Sequence, residues 1–440
     1  MHLGGPSGDR LLAAAVVTLA AGLVATCGLA APNLGGSAAV AAVDVAAGGH
    51  SSVTARPAAR VERHQVRHRS QLNATLEAKL ADRMSHATAG RYGMVVDIEG
   101  VGRVASLHPA RALRPASTQK LFTTLPLLLT RPDDRLVTDV AVTAEPVAGV
   151  VSGDLIIRSS EDPSLTKANL GRLAHNINAA GITRVTGDLV LDIGSWPTNK
   201  RRTGWKRSFV PADIGPLSPF PLNHDAWRRD SYYVWHPTAA NLAFFRKRLD
   251  AHGVHVRGDS VVRRTSPTGI VVATHKSAPL ADIITETLRL SDNFYAETLL
   301  TLEGGHKTVN ATSAAAGVTD TSSATDGSGL SYDDRQTARG EVTLLNYAQA
   351  SPAVDDLMHA LPLGCRRGTL KHRFCHTEGA GHVWAKTGTL THSSALAGYT
   401  TDARGRRVTF SVICGHVRSI TSAQRAIDRA VLVLRRYAGS

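Results

Sequence analysis

The chain has 440 residues, 43% of them hydrophobic, which is enough apolar material for a large core spread over two or three domains. Its formal charge of +14, with arginine far outnumbering lysine, suits an anionic partner. Aromatics make up only 5%, and no zinc-finger spacing or RNP-type aromatic signature is present, so nucleic acid is set aside in favour of anionic lipid or cell-wall polymer.

Arg10 precedes an uninterrupted run of apolar and small residues, Leu11 to Ala31, closed by Pro32. The run reads as a signal peptide, with Gly28-Leu-Ala30 as a cleavage site. At about 20 residues it is also long enough to stay uncleaved as a membrane anchor. Either reading exports the folded part, which then acts outside the cytoplasm. Residues 32–71 are rich in Ala, Gly, Arg and His and predict a disordered basic tether.

From Leu72 the pattern becomes regular. Leu76, Leu80 and Met84 take helical spacing, and 92–98 and 103–107 read as strands. Ser117-Thr-Gln-Lys120 follows Pro115 and opens a buried helix through Leu121, Phe122, Leu125 and Leu127 to Leu129, which Pro126 inside it should kink or shorten. Val151-Ser-Gly-Asp-Leu-Ile-Ile157 and Val185-Thr-Gly-Asp-Leu-Val-Leu191 are near-copies. Helical spacing at Leu170, Leu173 and Ile177 between them predicts a parallel strand–helix–strand crossover. Residues 211–221 and 253–269 read as loops and short strands, which makes 140–278 an inserted domain.

Leu280, Ile283, Ile284, Thr287 and Leu288 define one helical face, and Ser291-Asp-Asn293 breaks it before a second helix begins at Phe294. The stretch 304–325 shows no clear helix. Val383 to Thr389 predicts an edge strand carrying Lys386-Thr-Gly388. The segments 394–401 and 408–414 alternate apolar and polar residues around a turn at 402–405, and Ala426 to Leu434 predicts a closing amphipathic helix. The fold class is α/β (α+β), an antiparallel sheet flanked by helices. Its catalytic domain, 72–139 and 279–440, is interrupted by the insert. Cys365 and Cys375, ten apart around a basic loop, can form a disulfide outside the cell, whereas Cys414 sits in a strand as a buried thiol.

Three short motifs carry chemistry. A serine hydroxyl needs an adjacent base to act as a nucleophile, and positions i and i+3 share a helix face, so Lys120 can reach Ser117. A desolvated cleft and the second cation, Lys386, push the Lys120 ammonium toward its neutral, proton-accepting form. Ser291 relays a proton to the leaving nitrogen. Asn293 hydrogen-bonds a substrate amide, and Lys386, Thr387 and Thr389 hold a substrate carboxylate. The N–H groups of Ser117 and Thr389 form an oxyanion hole, and Gly388 lets the strand backbone approach the substrate. A second S-x-x-K, Ser164-Leu-Thr-Lys167, lies in a loop with no long apolar helix behind it and reads as a decoy. The histidines show no triad arrangement, and no metal or organic cofactor is implied.

The motifs together resemble the D-alanyl-D-alanine carboxypeptidase/endopeptidases of the penicillin-binding class, the peptidase S13 type, with their transpeptidase-like sandwich. The likeness extends over about 72–440 through Gly153-Asp-Leu, Asp162-Pro-Ser-Leu165, Leu290-Ser-Asp-Asn-Phe-Tyr-Ala-Glu297, Asp326-Gly-Ser-Gly-Leu-Ser331 and Ala385-Lys-Thr-Gly-Thr-Leu390. It implies peptidoglycan stem peptides ending in D-Ala-D-Ala as substrate, a covalent acyl-Ser117, hydrolysis by water, and acylation by penicillin and other β-lactams. Two alternatives share the motifs. One is a β-lactamase-like or esterase hydrolase, for which Glu341 is the nearest candidate to activate the deacylating water. The other is a wall-binding module with a degenerate site. The sequence is silent on oligomeric state.

Overall fold

The computed structural model describes residues 57–88, 91–194, 196, 201–225, 234, 236–264, 266–320 and 322–439. The apolar run 11–31 and the tether up to residue 56 lie outside them, and no helix among the described residues is long and apolar enough to cross a membrane. The later part of the expected tether is not disordered, because α1 runs from Pro57 to Thr88. This stretch holds no glycine and, after Pro57, no proline, and it is rich in Ala, Arg, Glu and Gln, all strong helix formers. Its sequence shows no apolar stripe until Leu76, Leu80 and Met84, which are buried.

Two strands follow, β1 (Tyr92–Ile98) and β2 (Gly102–Leu107), and then α2 (Gln119–Thr130). Pro126 does not end α2, which continues to Thr130. The chain then leaves for a second sheet through β3 (Arg135–Val142), β4 (Val150–Val151), β5 (Leu155–Ser159), α3 (Lys167–Ala179), β6 (Arg184–Val185) and β7 (Leu189–Asp192). It continues through α4 (Phe209–Ala212), α5 (Pro237–Ala251), β8 (His255–Val256), β9 (Ser260–Arg263) and β10 (Ile270–Pro279). The excursion therefore begins at Arg135, ahead of the boundary at 140, because β3 pairs with β10 along its length. The return brings α6 (Leu280–Leu290), α7 (Asn293–Leu302), α8 (His306–Ala315), α9 (Ala338–Gln349) and α10 (Val354–Ala360). Strands β11 (Trp384–Leu390), β12 (Ser393–Thr401) and β13 (Arg407–Gly415) and helix α11 (Ile420–Arg435) complete the chain.

The first sheet has the order β11-β12-β13-β1-β2, antiparallel throughout, so the two halves of the interrupted domain meet where β1 pairs with β13. One face packs on α1 and α11, whose Leu80, Met84, Ile427 and Val431 are buried with Val96 and Phe410. The other face lies under α9. The alternating polar residues of β12 and β13 are consequently not solvent-facing. Thr400, Thr409 and Ser411 are buried, and each finds a partner: His382 O, Gln349 Oε1 and Glu341 Oε2.

The second sheet, β10-β3-β5-β7-β9, contains the expected crossover, since β5 and β7 pair in parallel with α3 between them. A third copy of the repeat, Val256-Arg-Gly-Asp-Ser-Val-Val262, adds β9 in parallel to β7. The three Gly-Asp corners stack. Gly187 N donates to Gly153 O (2.9 Å) and Gly258 N to Gly187 O (2.8 Å), while Asp154 and Asp188 each accept the main-chain N–H of the next aspartate in the stack. Helix α8 occupies part of 304–325, where none was expected; only Val309 of its residues is buried, so it carries no apolar face for a periodicity reading to detect.

Candidate active site

Motif one enters as a 3₁₀ turn, Ala116–Thr118, leading into α2. Ala116 has φ +50°, a left-handed conformation that a side chain rarely adopts and that close packing must enforce. That packing comes from two glycines. A Cβ on Gly329 would sit 1.9 Å from Ala116 O, and one on Gly388 would sit 2.4 Å from Pro115 O. Gly388 therefore admits the motif-one backbone, a neighbour that the sequence does not identify.

Lys120 is fully buried, and its Nζ donates to three acceptors: Ser117 Oγ at 3.0 Å, Asn293 Oδ1 at 2.8 Å and Ser328 O at 2.7 Å. Burial lowers its pKa to about 8, against the opposing pull of Asp326, Asp292 and Glu297. The dominant cause is desolvation. The charge of Lys120 in turn lowers the pKa of Lys386.

Motif two is the junction of α6 and α7. Ser291 ends α6 with φ +62°, and the Asp292 side chain caps α7 by accepting from Tyr295 N (2.9 Å). Asn293 turns Oδ1 to Lys120 because its Nδ2 donates to Asp213 O at 3.0 Å.

Motif three lies on β11, at the sheet's edge. Lys386 is fully buried and committed, donating to Ser291 Oγ (2.7 Å) and Thr387 O (2.9 Å). Burial, and then the charge of Lys120, holds its pKa well below the usual lysine range. Ala385 N donates to Pro362 O on the side away from β12, and the period of two sends the N–H groups of Thr387 and Thr389 to that same open edge. Thr387 Oγ1 meets Thr369 Oγ1 at 2.7 Å, and Thr369 stands on a loop closed by the Cys365–Cys375 disulfide. Cys414 is the buried free thiol.

Hydrogen bonds thus join Ser117, Lys120 and Asn293 in one set and Ser291 and Lys386 in another. A cleft of about 860 Å³ opens above them, lined by Ser117, Ser291, Asn293, Thr387, Thr389 and Tyr332 among others. Both lysines lie beneath its floor. Ser164 is elsewhere, donating to Asp162 Oδ1 at 2.5 Å in the turn before α3, whose N-cap is Thr166. Glu341 is buried beneath motif one, bonded to Thr118 and Ser411, and does not line the cleft. The arrangement can pass a proton from a cleft-facing hydroxyl to a buried amine, and offers a second amine–hydroxyl pair, Lys386 and Ser291, on the same cleft.

Sequence reasoning missed Glu297, Asp326 and Tyr332 as parts of this site. Glu297 had a signal, being the lone carboxylate in the apolar helix Phe294–Leu300. It is buried and accepts from Gly327 N and Ser328 N. Tyr332 had none. It stands between Arg114 (4.5 Å from its ring) and Lys206 (4.3 Å), contacts that join distant parts of the chain.

A family model described as the D-Ala-D-Ala carboxypeptidase 3 (S13) family matches residues 72–220 and 221–436. Carboxypeptidase DacB of Mycolicibacterium smegmatis is 31% identical over 357 residues, covering 73% of this chain and 75% of that protein. The D-alanyl-D-alanine carboxypeptidase of an Actinomadura species is 25% identical over 441 residues, covering 79% and 81%. Penicillin binding protein 4 from Haemophilus influenzae has a crystal structure that matches this fold with a TM-score of 0.73 at 21% identity, covering 82% of this chain and 99% of that one.

Proposed function

The chain belongs to the D-Ala-D-Ala carboxypeptidase 3 (S13) family, and from that premise we propose that it removes the terminal D-Ala from peptidoglycan stem peptides through an acyl-Ser117 intermediate. As a serine-type D-Ala-D-Ala carboxypeptidase it needs a nucleophile, a base, a proton donor for the leaving amine and an oxyanion site. The observation that carries the assignment of roles is the 3.0 Å bond between Ser117 Oγ and the fully buried Lys120 Nζ, whose pKa lies at about 8.

In this reading neutral Lys120 takes the Ser117 proton as Oγ attacks the scissile carbonyl carbon. The oxyanion settles between the N–H groups of Ser117 and Thr389; losing one such donor typically costs ~10²–10³ in rate. Ser291 protonates the departing D-Ala nitrogen and is resupplied, through Lys386, with the proton that Lys120 took from Ser117. Water then attacks the acyl carbon, its proton passing to Lys120, which reprotonates Ser117 Oγ as the acyl group leaves. Asn293 orients the donor peptide's amide, and Thr387 and Thr389 meet its terminal carboxylate. β-Lactams enter the same acylation step. The Cys365–Cys375 disulfide supports action outside the cytoplasm, as does the apolar segment 11–31.

Fluorescent penicillin tests the roles. Wild type and Ser164→Ala should form a stable covalent adduct, and Ser117→Ala should form none. An adduct that survives Ser117→Ala sinks the assignment, and rapid turnover of a chromogenic cephalosporin marks a β-lactamase instead.

A further inference from the structure

Residues 201–225, the excursion between β7 and α5, leave the second sheet and cross to the active site. Arg202 Nε donates to Glu297 Oε2 at 2.9 Å, and its Nη2 to Glu297 O (3.2 Å) and Thr301 Oγ1 (2.6 Å). Trp205 Nε1 donates to Asp326 Oδ2 at 2.7 Å. Both carboxylates are fully buried. Each turns its remaining acceptor capacity onto the loop 326–331. Glu297 Oε1 accepts from Gly327 N (3.0 Å) and Ser328 N (2.8 Å). Asp326 accepts from Gly329 N through Oδ1 (2.7 Å) and from Ser331 N through Oδ2 (2.7 Å). With four amides pinned in this way, the Ser328 carbonyl is fixed at 2.7 Å from Lys120 Nζ.

We propose that Arg202–Glu297 and Trp205–Asp326 are positioning pairs for Lys120, through which the excursion from the second sheet sets the placement and proton affinity of the catalytic base. The proposal rests on the reading of Lys120 as that base. Its physical content is twofold. A buried carboxylate deprived of its donor must be re-solvated or moved, and the loop moves with it. Displacing a reacting group by about 1 Å costs roughly 10²-fold in rate. In addition, the negative charges of Asp326, Asp292 and Glu297 favour the ammonium form of Lys120, so removing that of Glu297 makes Lys120 easier to deprotonate.

The test is the second-order rate of acylation by fluorescent penicillin across pH, on the full chain, for wild type, Glu297→Gln and Trp205→Phe. Glu297→Gln keeps the shape and removes the charge. Its rising limb should move to lower pH than that of wild type, and its plateau should fall by about tenfold or more. Trp205→Phe keeps the ring and removes the donor. Its plateau should fall by a similar factor with KM for a D-Ala-D-Ala peptide unchanged. A Glu297→Gln limb that coincides with wild type overturns the proposal, whatever happens to thermal stability. If Glu297→Gln does not fold, Trp205→Phe decides, and an unchanged plateau overturns it. A wild type that is not acylated, or whose rate shows no limb, overturns the base reading itself, and this proposal with it.

Discussion

At the scale of single residues, the site is organised around a buried cation. An ammonium wholly removed from water is costly unless it is hydrogen-bonded, and Lys120 has three acceptors but no direct carboxylate partner. The balance leaves its pKa at about 8, depressed from the usual lysine value by burial. In the proposed role Lys120 must be neutral, so activity should be lost as pH falls through that value. The acylation rate should drop about tenfold per pH unit well below 8 and level off above it; a flat profile between pH 6 and 9 would count against Lys120 as the base. The spacing of Ser117 and Lys120 was legible because i and i+3 meet on any helical turn, whatever surrounds them. Glu297 and Asp326 acquire their meaning only from amides brought to them by the fold, and no local pattern announces that. Gly388 was legible as a close-approach residue, but its contact with the Pro115 carbonyl was not, since sequence alone does not say which backbone comes near.

At the scale of elements, β11 is the component most exposed to small errors. It is an edge strand that must pair with β12, present its other edge to the cleft and pass motif one at van der Waals distance. Gly388 makes the last of these possible. A Gly388→Ala variant should keep the sheet and still move β11 off Pro115, lowering the penicillin acylation rate by about 10²-fold while circular dichroism stays near wild type; wild-type acylation by this variant would show that the contact is not critical. Elements with a strong period were readable from sequence. The α6 face of Leu280, Ile283, Ile284, Thr287 and Leu288 is buried as the spacing implied. Those held by composition or by tertiary docking were not, as α8 and the first part of α1 demonstrate. The third Gly-Asp corner was present in the sequence as Val256-Arg-Gly-Asp-Ser-Val-Val262, and comparison with the two earlier copies would have found it.

At the scale of the whole molecule, the second sheet has a core of its own, in which Val140, Leu155 and Leu189 pack with Leu170 of α3 and Phe245 of α5, and the segment that follows β7 ties it to the catalytic part. Trp196, Phe209, Val210, Ile214 and Leu217 belong to the same apolar core as Leu121 and Phe122 of α2, Ile284 of α6 and Leu299 of α7. A shared core couples the melting of its contributors, so calorimetry should show one transition for residues 57–439 rather than one per sheet. A lesion far from the cleft tests the coupling. Asp188 accepts from Asp259 N (2.9 Å) and pairs with Arg263 (2.9 Å), which also bonds Asp154, so Asp188→Ala leaves the Asp259 N–H to water and takes one of two carboxylates from Arg263. The loss should be about 0.5–1.5 kcal/mol, since water reaches the freed groups. It should lower that single transition as a unit and leave the acylation rate per folded molecule unchanged, because Asp188 bonds to the corner stack and not to residues 201–225. A separate, earlier transition in Asp188→Ala, with the penicillin-reactive part still folded above it, would show that the second sheet melts on its own. The shared core would then be a contact surface between two units rather than the interior of one.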